Sequence, residues 1–172
     1  MHLDDEADGP GAPGVPPPVP LDQVDMEALV TALHSFDGYL GFSYCPSTGQ
    51  VQVEADEQGN PIEVDDYDPL VVPIDYVGNR GSFKDMEDFV ALREDADVAD
   101  RLARALREKR PFRAFADAVY RAEDEGCSGI ISEWQEFSEA RRTRRALVWL
   151  REWDLIDDET FVAALAPTDW VR

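Results

Sequence analysis

A succession of amphipathic helical patterns between Ser82 and Ile156 limits most strongly what this chain can fold into. Apolar residues recur there at intervals of three and four, which places them on one face of a helix and predicts helices packed through apolar stripes. We expect four helices here, beginning after Gly78–Gly81, at Asp95 or Asp97, at Pro111 and at Ile130, the last running to about Trp153.

Local signals set the expected helix ends. Ser82 is placed to cap the first of these helices, with Asp85 three residues later approximating a capping box. Pro111 suits the first turn of a new helix because its ring would break the interior of the preceding one. Asp157 precedes a short terminal helix that carries Phe161 and Leu165.

The first half of the chain predicts one helix and a small sheet. The helix runs from Asp22 to His34, and apolar and polar residues then alternate on both sides of a turn at Pro46–Gly49, as in a β-hairpin. Pro73 lacks the amide hydrogen that a central strand needs, so the run from Leu70 to Ile74 predicts an edge strand or a strand end. The fold class is therefore α+β: a small antiparallel sheet of two to four strands with five to six amphipathic helices, most of them C-terminal.

The domain organisation follows from composition. Residues 1–20 combine acidic residues with a proline run, a composition that cannot bury enough apolar surface to offset ordering, so we expect a disordered tail. Residues 21–172 are expected to form a single α+β domain, with the helix and sheet in 21–78 and the helical part in 79–172. Two cysteines and the lack of an apolar leader or a membrane-length apolar run favour a cytoplasmic protein.

Negative charge is concentrated in the first half. The net charge is -21, and residues 1–100 hold 23 Asp and Glu against 3 Lys and Arg. Such a surface repels nucleic acids and anionic membranes in general and favours a basic protein partner, although solubility alone also explains high charge. Asp65, Asp66 and Asp68 form the acidic cluster that we single out as a candidate docking site.

Two arginines occupy an unexpected position in the long C-terminal helix. At 100° per residue, Arg141 and Arg145 fall in line with the aromatic stripe of Trp134 and Phe137. Either the helix bends near Arg142–Arg144, or both arginines face inward towards carboxylates, for which we name Asp85, Glu87 and Asp88. We name three arginines as candidate clamps for a carboxylate or another anion: Arg113, Arg141 and Arg145.

Catalytic and metal signatures are missing from the sequence. His34 has no serine or cysteine motif to activate, so we expect it to cap or cover the end of its helix. Asp56, Gln58 and Asn60 have the first spacings of a calcium loop, but the loop glycine is out of place and Tyr67 stands where the bidentate glutamate would be. We predict no cofactor, no metal site and no catalytic residues.

The order of several short motifs resembles Uncharacterised Protein Family 0158, a bacterial group. The resemblance covers about residues 24–157 and implies a fold without implying an activity. One departure is Glu108–Pro111, where the family tends to have a Gly-Lys-Gly-Ala lead-in. The shared motifs are a Thr-Gly hairpin turn, a strand-end proline and three aromatic helix motifs: Thr48–Gly49, Pro73, Met86–Phe89, Phe112–Phe115, and Trp134–Phe137 leading to Trp149–Leu150.

Three functions remain open from the sequence. The first is a non-enzymatic interaction or regulatory protein whose acidic N-terminal half docks a basic protein. The second is a regulator that binds nucleic acid or phosphate through arginine clusters at 101–113 and 141–145, since arginine pairs well with phosphate. The third is an enzyme without a recognisable motif. Partner identity and oligomeric state cannot be read from these residues.

Overall fold

The computed structural model describes residues 19–34, 41–54, 60 and 71–166. These residues form six α-helices and a three-stranded antiparallel sheet, which confirms the predicted α+β class. A 3-10 turn at Leu21–Gln23 precedes the first helix. The elements are α1 (Met26–His34), β1 (Phe42–Cys45), β2 (Gln50–Val53), β3 (Val72–Ile74), α2 (Asn79–Ala91), α3 (Ala96–Ala105), α4 (Pro111–Asp124), α5 (Ile130–Glu152) and α6 (Asp158–Leu165).

The sheet has the order β2-β1-β3, with both neighbours antiparallel to β1. Pro73 lies opposite Ser43 on β3, which is an edge strand of the sheet, as predicted. The β1–β2 turn ends at Gly49, whose φ of 71° is in the left-handed region. A Cβ at Gly49 would lie 2.1 Å from the Gln23 carbonyl oxygen, so the turn packs directly on the chain that enters α1.

Two apolar cores share the long helix α5. The first core joins α1, the sheet and the C-terminal half of α5, with Leu29, Tyr44 and Leu150 fully buried. The second joins α2, α3, α4 and the N-terminal half of α5, around Phe89 and Phe115. We call these the first core and the second core; α5 is the element that belongs to both.

Aromatic side chains fill the second core. Trp134 lies edge-on to Phe89 and Phe115, with ring centroids 5.2 and 5.0 Å away. Phe137 packs against Phe89 at 5.6 Å. Edge-to-face pairs of this kind add about 0.5–1.5 kcal/mol each beyond the area that they bury. The stripe predicted for α5 therefore does hold its aromatic residues against α2 and α4.

Helix starts agree with the sequence where the cap is local. The Asp95 carboxylate accepts from the amides of Asp97 and Val98 at the start of α3, and Asp157 accepts from Thr160 at the start of α6. The predicted Ser82 cap is wrong, because α2 already begins at Asn79 after Gly78 and the Asp85 carboxylate is bound elsewhere. Likewise, α1 begins at Met26 rather than Asp22.

Val19 differs from the expectation that residues 1–20 are a tail. Its side chain packs in the first core, and its amide donates to the Leu155 carbonyl at 2.8 Å. The paired amide and the buried side chain together fix this residue on the folded domain. Residues 1–18, and the short alternation Ile62–Val64, lie outside the described residues.

None of the helices in the described part of the chain combines the length and the apolar composition that crossing a bilayer requires.

Candidate functional site

Arg145 and Asp85 form a bidentate ion pair between α5 and α2. Arg145 Nη1 donates to Asp85 Oδ1 at 3.0 Å, and Nη2 donates to Oδ2 at 2.6 Å. Asp85 is only 4% exposed, so both of its oxygens depend on the guanidinium for the hydrogen bonds that water would otherwise supply. A Cβ added at Gly81, one turn earlier in α2, would lie 3.5 Å from the Arg145 side chain.

Arg145 also forms a hydrogen bond to α1. Its Nε–H donates to His34 Nε2 at 2.9 Å. The other ring nitrogen of His34, Nδ1, donates to the Val30 carbonyl at 2.8 Å. A ring nitrogen that accepts a hydrogen bond carries no proton, so these two contacts define a neutral His34 with its proton on Nδ1. Arg145 therefore links three helices: α1, α2 and α5.

The pKa of His34 is lowered from its usual 6.5 by this environment. Burial from water is the largest cause, and the positive charges of Arg145 and Arg142 act in the same direction. The Val30 carbonyl and the Asp85 carboxylate favour the charged ring and oppose the shift.

Arg141, one turn before Arg145 on α5, binds a second carboxylate of α2. Its Nη2 donates to Asp88 Oδ2 at 3.2 Å, and its guanidinium lies 5.0 Å from the centre of the Phe137 ring. Asp88 also takes an ion pair from Lys84 at 3.0 Å on the exposed side of α2. Glu87, the third carboxylate named from the sequence, instead faces Lys84 at 3.9 Å.

Helix α5 therefore continues unbroken through Arg142–Arg144, and its two inward arginines meet carboxylates, which is the second of the two alternatives above. Arg141 and Arg145 follow Phe137 of the second core and precede Ala146 of the first core. The polar cluster thus occupies the seam between the two apolar cores. We call Arg145, Asp85, His34, Arg141 and Asp88 the seam cluster.

Arg113, the third candidate clamp, lies in a different place. It stands on α4 at the wall of an open groove between α3 and α4, with a volume of about 910 Å³. The groove is lined by six basic and three acidic side chains, the remaining lining being alanine: Arg101, Arg104, Lys109, Arg110, Arg113 and Arg121, with Glu108, Asp117 and Glu125. We call this the basic groove; it contains most of the arginine cluster predicted at 101–113.

Only part of the charge in the basic groove is neutralised. Arg101 is ion-paired with Glu125, and Arg113 faces Asp117 at 4.0 Å with both side chains largely exposed. Arg104 donates from Nε to the Asp100 carbonyl of its own helix at 3.2 Å. The other basic side chains of the groove form no ion pair with any described residue: Lys109, Arg110 and Arg121.

An acidic surface lies at the opposite end of α3. Glu94, Asp95, Asp97 and Asp100 are all exposed around the α2–α3 connection, and we call them the acidic corner. Asp95 is engaged in capping, but no ion pair to the acidic corner occurs among the described residues. The predicted docking cluster Asp65, Asp66 and Asp68 lies outside the described residues.

The part of the chain that the structure describes contains no group of three His, Cys, Asp or Glu side chains close enough to hold a metal ion. Most of the calcium-like spacing at residues 56–60 falls outside this part. Neither Cys45 nor Cys127 forms a disulfide within the described part of the chain, and Cys45 Sγ lies 3.1 Å from the Ser47 hydroxyl oxygen.

Several contacts have no signal in the sequence. Arg93 lies over the Phe89 ring at 4.1 Å and is ion-paired with Glu133 of α5. Glu123 of α4 accepts from the amides of Gly129 and Ile131 and so caps α5 from another helix. Helical spacing identifies which residues share a face, but it does not say which distant carboxylate or arginine that face will meet.

The described architecture is that of a small α+β protein in which a three-stranded sheet and a helical layer share one long helix and a polar seam. The chain belongs to the uncharacterised protein family UPF0158, whose family model matches residues 18–164. No curated protein and no solved structure matches the chain significantly.

Proposed function

We propose that this protein is a non-enzymatic, cytoplasmic interaction or regulatory protein whose acidic N-terminal half docks a basic protein partner. The acidic corner is the observation that carries the proposal. It presents four exposed carboxylates at one end of α3, and none of them forms an ion pair with any described residue. A surface of one sign attracts a partner of the opposite sign and speeds their encounter.

The seam cluster supports the same proposal because the Arg145 guanidinium in it is already bonded within the fold, which argues against an anion-binding site there. Arg145 makes two hydrogen bonds to Asp85 and one to His34, so a ligand could reach this guanidinium only by displacing bonds that the fold uses. Arg141 makes one hydrogen bond to Asp88 and lies over the Phe137 ring, and its buried Nε has no hydrogen-bond partner among the described residues. The described contacts of Arg145 are those of a structural ion pair.

Capture from lysate with charge-reversed variants tests the docking surface. The tagged chain is compared at about 50 mM and about 300 mM salt, with nuclease, because exposed charge interactions weaken as salt screens them. Glu94→Lys with Asp100→Lys neutralises the net charge of the acidic corner without touching the Asp95 cap. Glu136→Lys with Glu139→Lys, at exposed positions of α5, is the matched control for net charge.

A basic protein that is captured at low salt, released at high salt and lost only with the acidic-corner variant supports the proposal. A variant with Asp65, Asp66 and Asp68 changed to asparagine tests the cluster predicted from the sequence in the same assay. Capture that survives both variants would overturn acidic docking as the function.

A second candidate function is phosphate or nucleic-acid binding through the arginine clusters, and the basic groove favours it. Of the two clusters, the one at 101–113 supplies most of the groove's cations, whereas the one at 141–145 contributes Arg141 and Arg145 to the seam cluster. This candidate therefore depends on α3 and α4, and its test is independent of the acidic corner.

A further inference from the structure

We propose that the basic groove binds a compact phosphate-bearing small molecule, specifically a nucleoside diphosphate or triphosphate. The inference deepens the second candidate function, since it names the ligand class for the same groove. It rests on four observations: the unpaired cations of the groove, the order imposed on its arginines, its size, and an exposed tyrosine on α4, the helix that forms one wall of the groove.

Unpaired cations supply the attraction for phosphate. Lys109 and Arg110 stand in the connection from α3 to α4, and Arg121 stands on α4 three turns beyond Arg110. No described carboxylate forms an ion pair with any of the three, and with six basic against three acidic side chains the groove keeps a net positive charge. One guanidinium group can donate two parallel hydrogen bonds to two oxygens of a phosphate, which gives arginine an advantage over lysine at such a site.

Other contacts hold part of the groove in place before a ligand arrives. Arg104 is tied to its own helix through Nε, which leaves its two terminal nitrogens available to an anion. Arg101 is ordered by Glu125 on the facing helix. At the start of α4, Arg110 makes no side-chain cap and the first turn carries no acidic residue, so no carboxylate in that turn offsets the positive end of the helix.

The size and the charge of the molecule argue for a compact ligand. A volume of about 910 Å³ lies within the range of about 300–1,000 Å³ that small-molecule sites occupy. Electrostatic interactions are screened over about 8 Å at physiological salt, so a ligand held within the groove responds mainly to the local cations. A long polyanion extends beyond the groove and meets a chain whose net charge is -21.

Tyr120 offers a surface for a base beside the groove. Its side chain is 58% exposed, and it follows Arg113 by seven residues and Asp117 by three, which places all three on one side of α4. An exposed aromatic ring next to phosphate-binding cations can stack on a nucleobase, a contact worth about 1–3 kcal/mol in nucleic-acid complexes. The ligand we infer therefore has a base as well as phosphates.

Fluorescence anisotropy with a labelled nucleoside diphosphate tests the inference on the full chain. Unlabelled ADP, pyrophosphate and a single-stranded RNA of about ten nucleotides are used as competitors. Arg110→Gln and Arg121→Gln should each weaken ADP binding by about tenfold or more, because each removes a charge-assisted hydrogen bond. Arg80→Gln, at an exposed arginine of α2, should leave binding unchanged.

Tyr120→Ala separates the base from the phosphates. It should weaken ADP while leaving competition by pyrophosphate unchanged, and circular dichroism confirms that each variant is folded. Lack of binding of both ADP and pyrophosphate to the folded chain would overturn the inference, as would tighter binding of the RNA or equal effects of Arg80→Gln and Arg110→Gln. The acidic-corner variants do not enter this assay, so its failure leaves the docking proposal standing.

Discussion

Arg145 Nε donates to His34 Nε2 over 2.9 Å, joining two residues that are 111 positions apart in the chain. His34 ends α1 of the first core, and Asp85, bound to the same guanidinium, belongs to α2 of the second core. Arg145 therefore bridges both cores: it donates one hydrogen bond to His34 and two to Asp85. Because the bridge requires His34 to stay neutral, the protonation of one imidazole should affect the stability of the whole domain.

We predict that stability falls as the pH is lowered from about 7 through the unfolded-state pKa of His34. The pKa of His34 is lower in the folded protein than in the unfolded chain, so the unfolded state binds the proton more readily. The stability that this histidine provides is present above the unfolded pKa of 6.5 and is lost as the pH falls towards the folded pKa. The charged groups that face the ring are Arg145 and Arg142 from α5 and Asp85 from α2.

His34→Gln is the control for this pH dependence, since glutamine can still accept a hydrogen bond but does not titrate. Urea unfolding at several pH values should give a flatter profile for the variant than for the natural sequence. The sequence contains one other histidine, His2, which both proteins share. Equal slopes in the two proteins would show that His34 is not the group responsible.

Gly49→Ala should destabilise the protein by about 2 kcal/mol or more, because the residue has positive φ and also touches another backbone. Its Cβ would meet the Gln23 carbonyl oxygen at 2.1 Å. Gly129→Ala is the matched comparison, since Gly129 has a φ of 90° but nothing within 4 Å of its Cβ position. Chemical unfolding should show the larger loss for Gly49, and equal losses would mean that the close approach is unimportant.

Tyr44→Phe should leave the free energy of unfolding unchanged or raise it by about 1 kcal/mol. The Tyr44 hydroxyl is buried and has no hydrogen-bond partner among the described residues, and burial raises the pKa of this phenol to about 12. The ring itself packs edge-on to Trp149 at 5.8 Å, so Tyr44→Ala should cost about 3–5 kcal/mol. A loss above about 1 kcal/mol in the phenylalanine variant would indicate that the hydroxyl is bonded.

Glu123→Gln should destabilise α5 at neutral pH and remove part of the acid sensitivity of the fold. The amide of Gly129, followed by that of Ile131, lowers the pKa of Glu123 below its usual 4.5. The stabilisation by this carboxylate is therefore present above that value and is lost as the pH falls through the folded pKa. Hydrogen exchange at the first turn of α5 measures the effect, and Glu139→Gln is an exposed control on the same helix; unchanged protection in Glu123→Gln would contradict the capping role.

Local chemistry explains which parts of the fold could be predicted. Asp95 and Asp157 cap helices through amides two or three residues away, so their roles are visible in a short window of sequence. The inward position of Arg141 and Arg145 follows from the regular 100° turn of α5, and two of the three α2 carboxylates named as their partners, Asp85 and Asp88, bind them.

The remaining features depend on how distant elements pack. His34 was expected to cover a helix end, yet its partner Arg145 is brought to it only when α1 packs on α5. The sequence offers Asp85 two roles, in a capping box and as a partner of an inward arginine, and its burial against Arg145 selects the second. Arg113 is a candidate clamp from the sequence like Arg141 and Arg145, whereas the fold places it in the basic groove.

A double-mutant cycle between Asp85 and Arg145 tests most directly our central claim that the arginines of α5 belong to the fold and leave binding to other surfaces. Asp85→Asn and Arg145→Met should each lower the free energy of unfolding by about 3 kcal/mol, with a coupling of about 2 kcal/mol. The exposed pair Arg113 and Asp117 should show a coupling of about 0.3 kcal/mol. A coupling between Asp85 and Arg145 no larger than that of the exposed pair would contradict the claim and return Arg145 to the set of candidate ligand-binding residues.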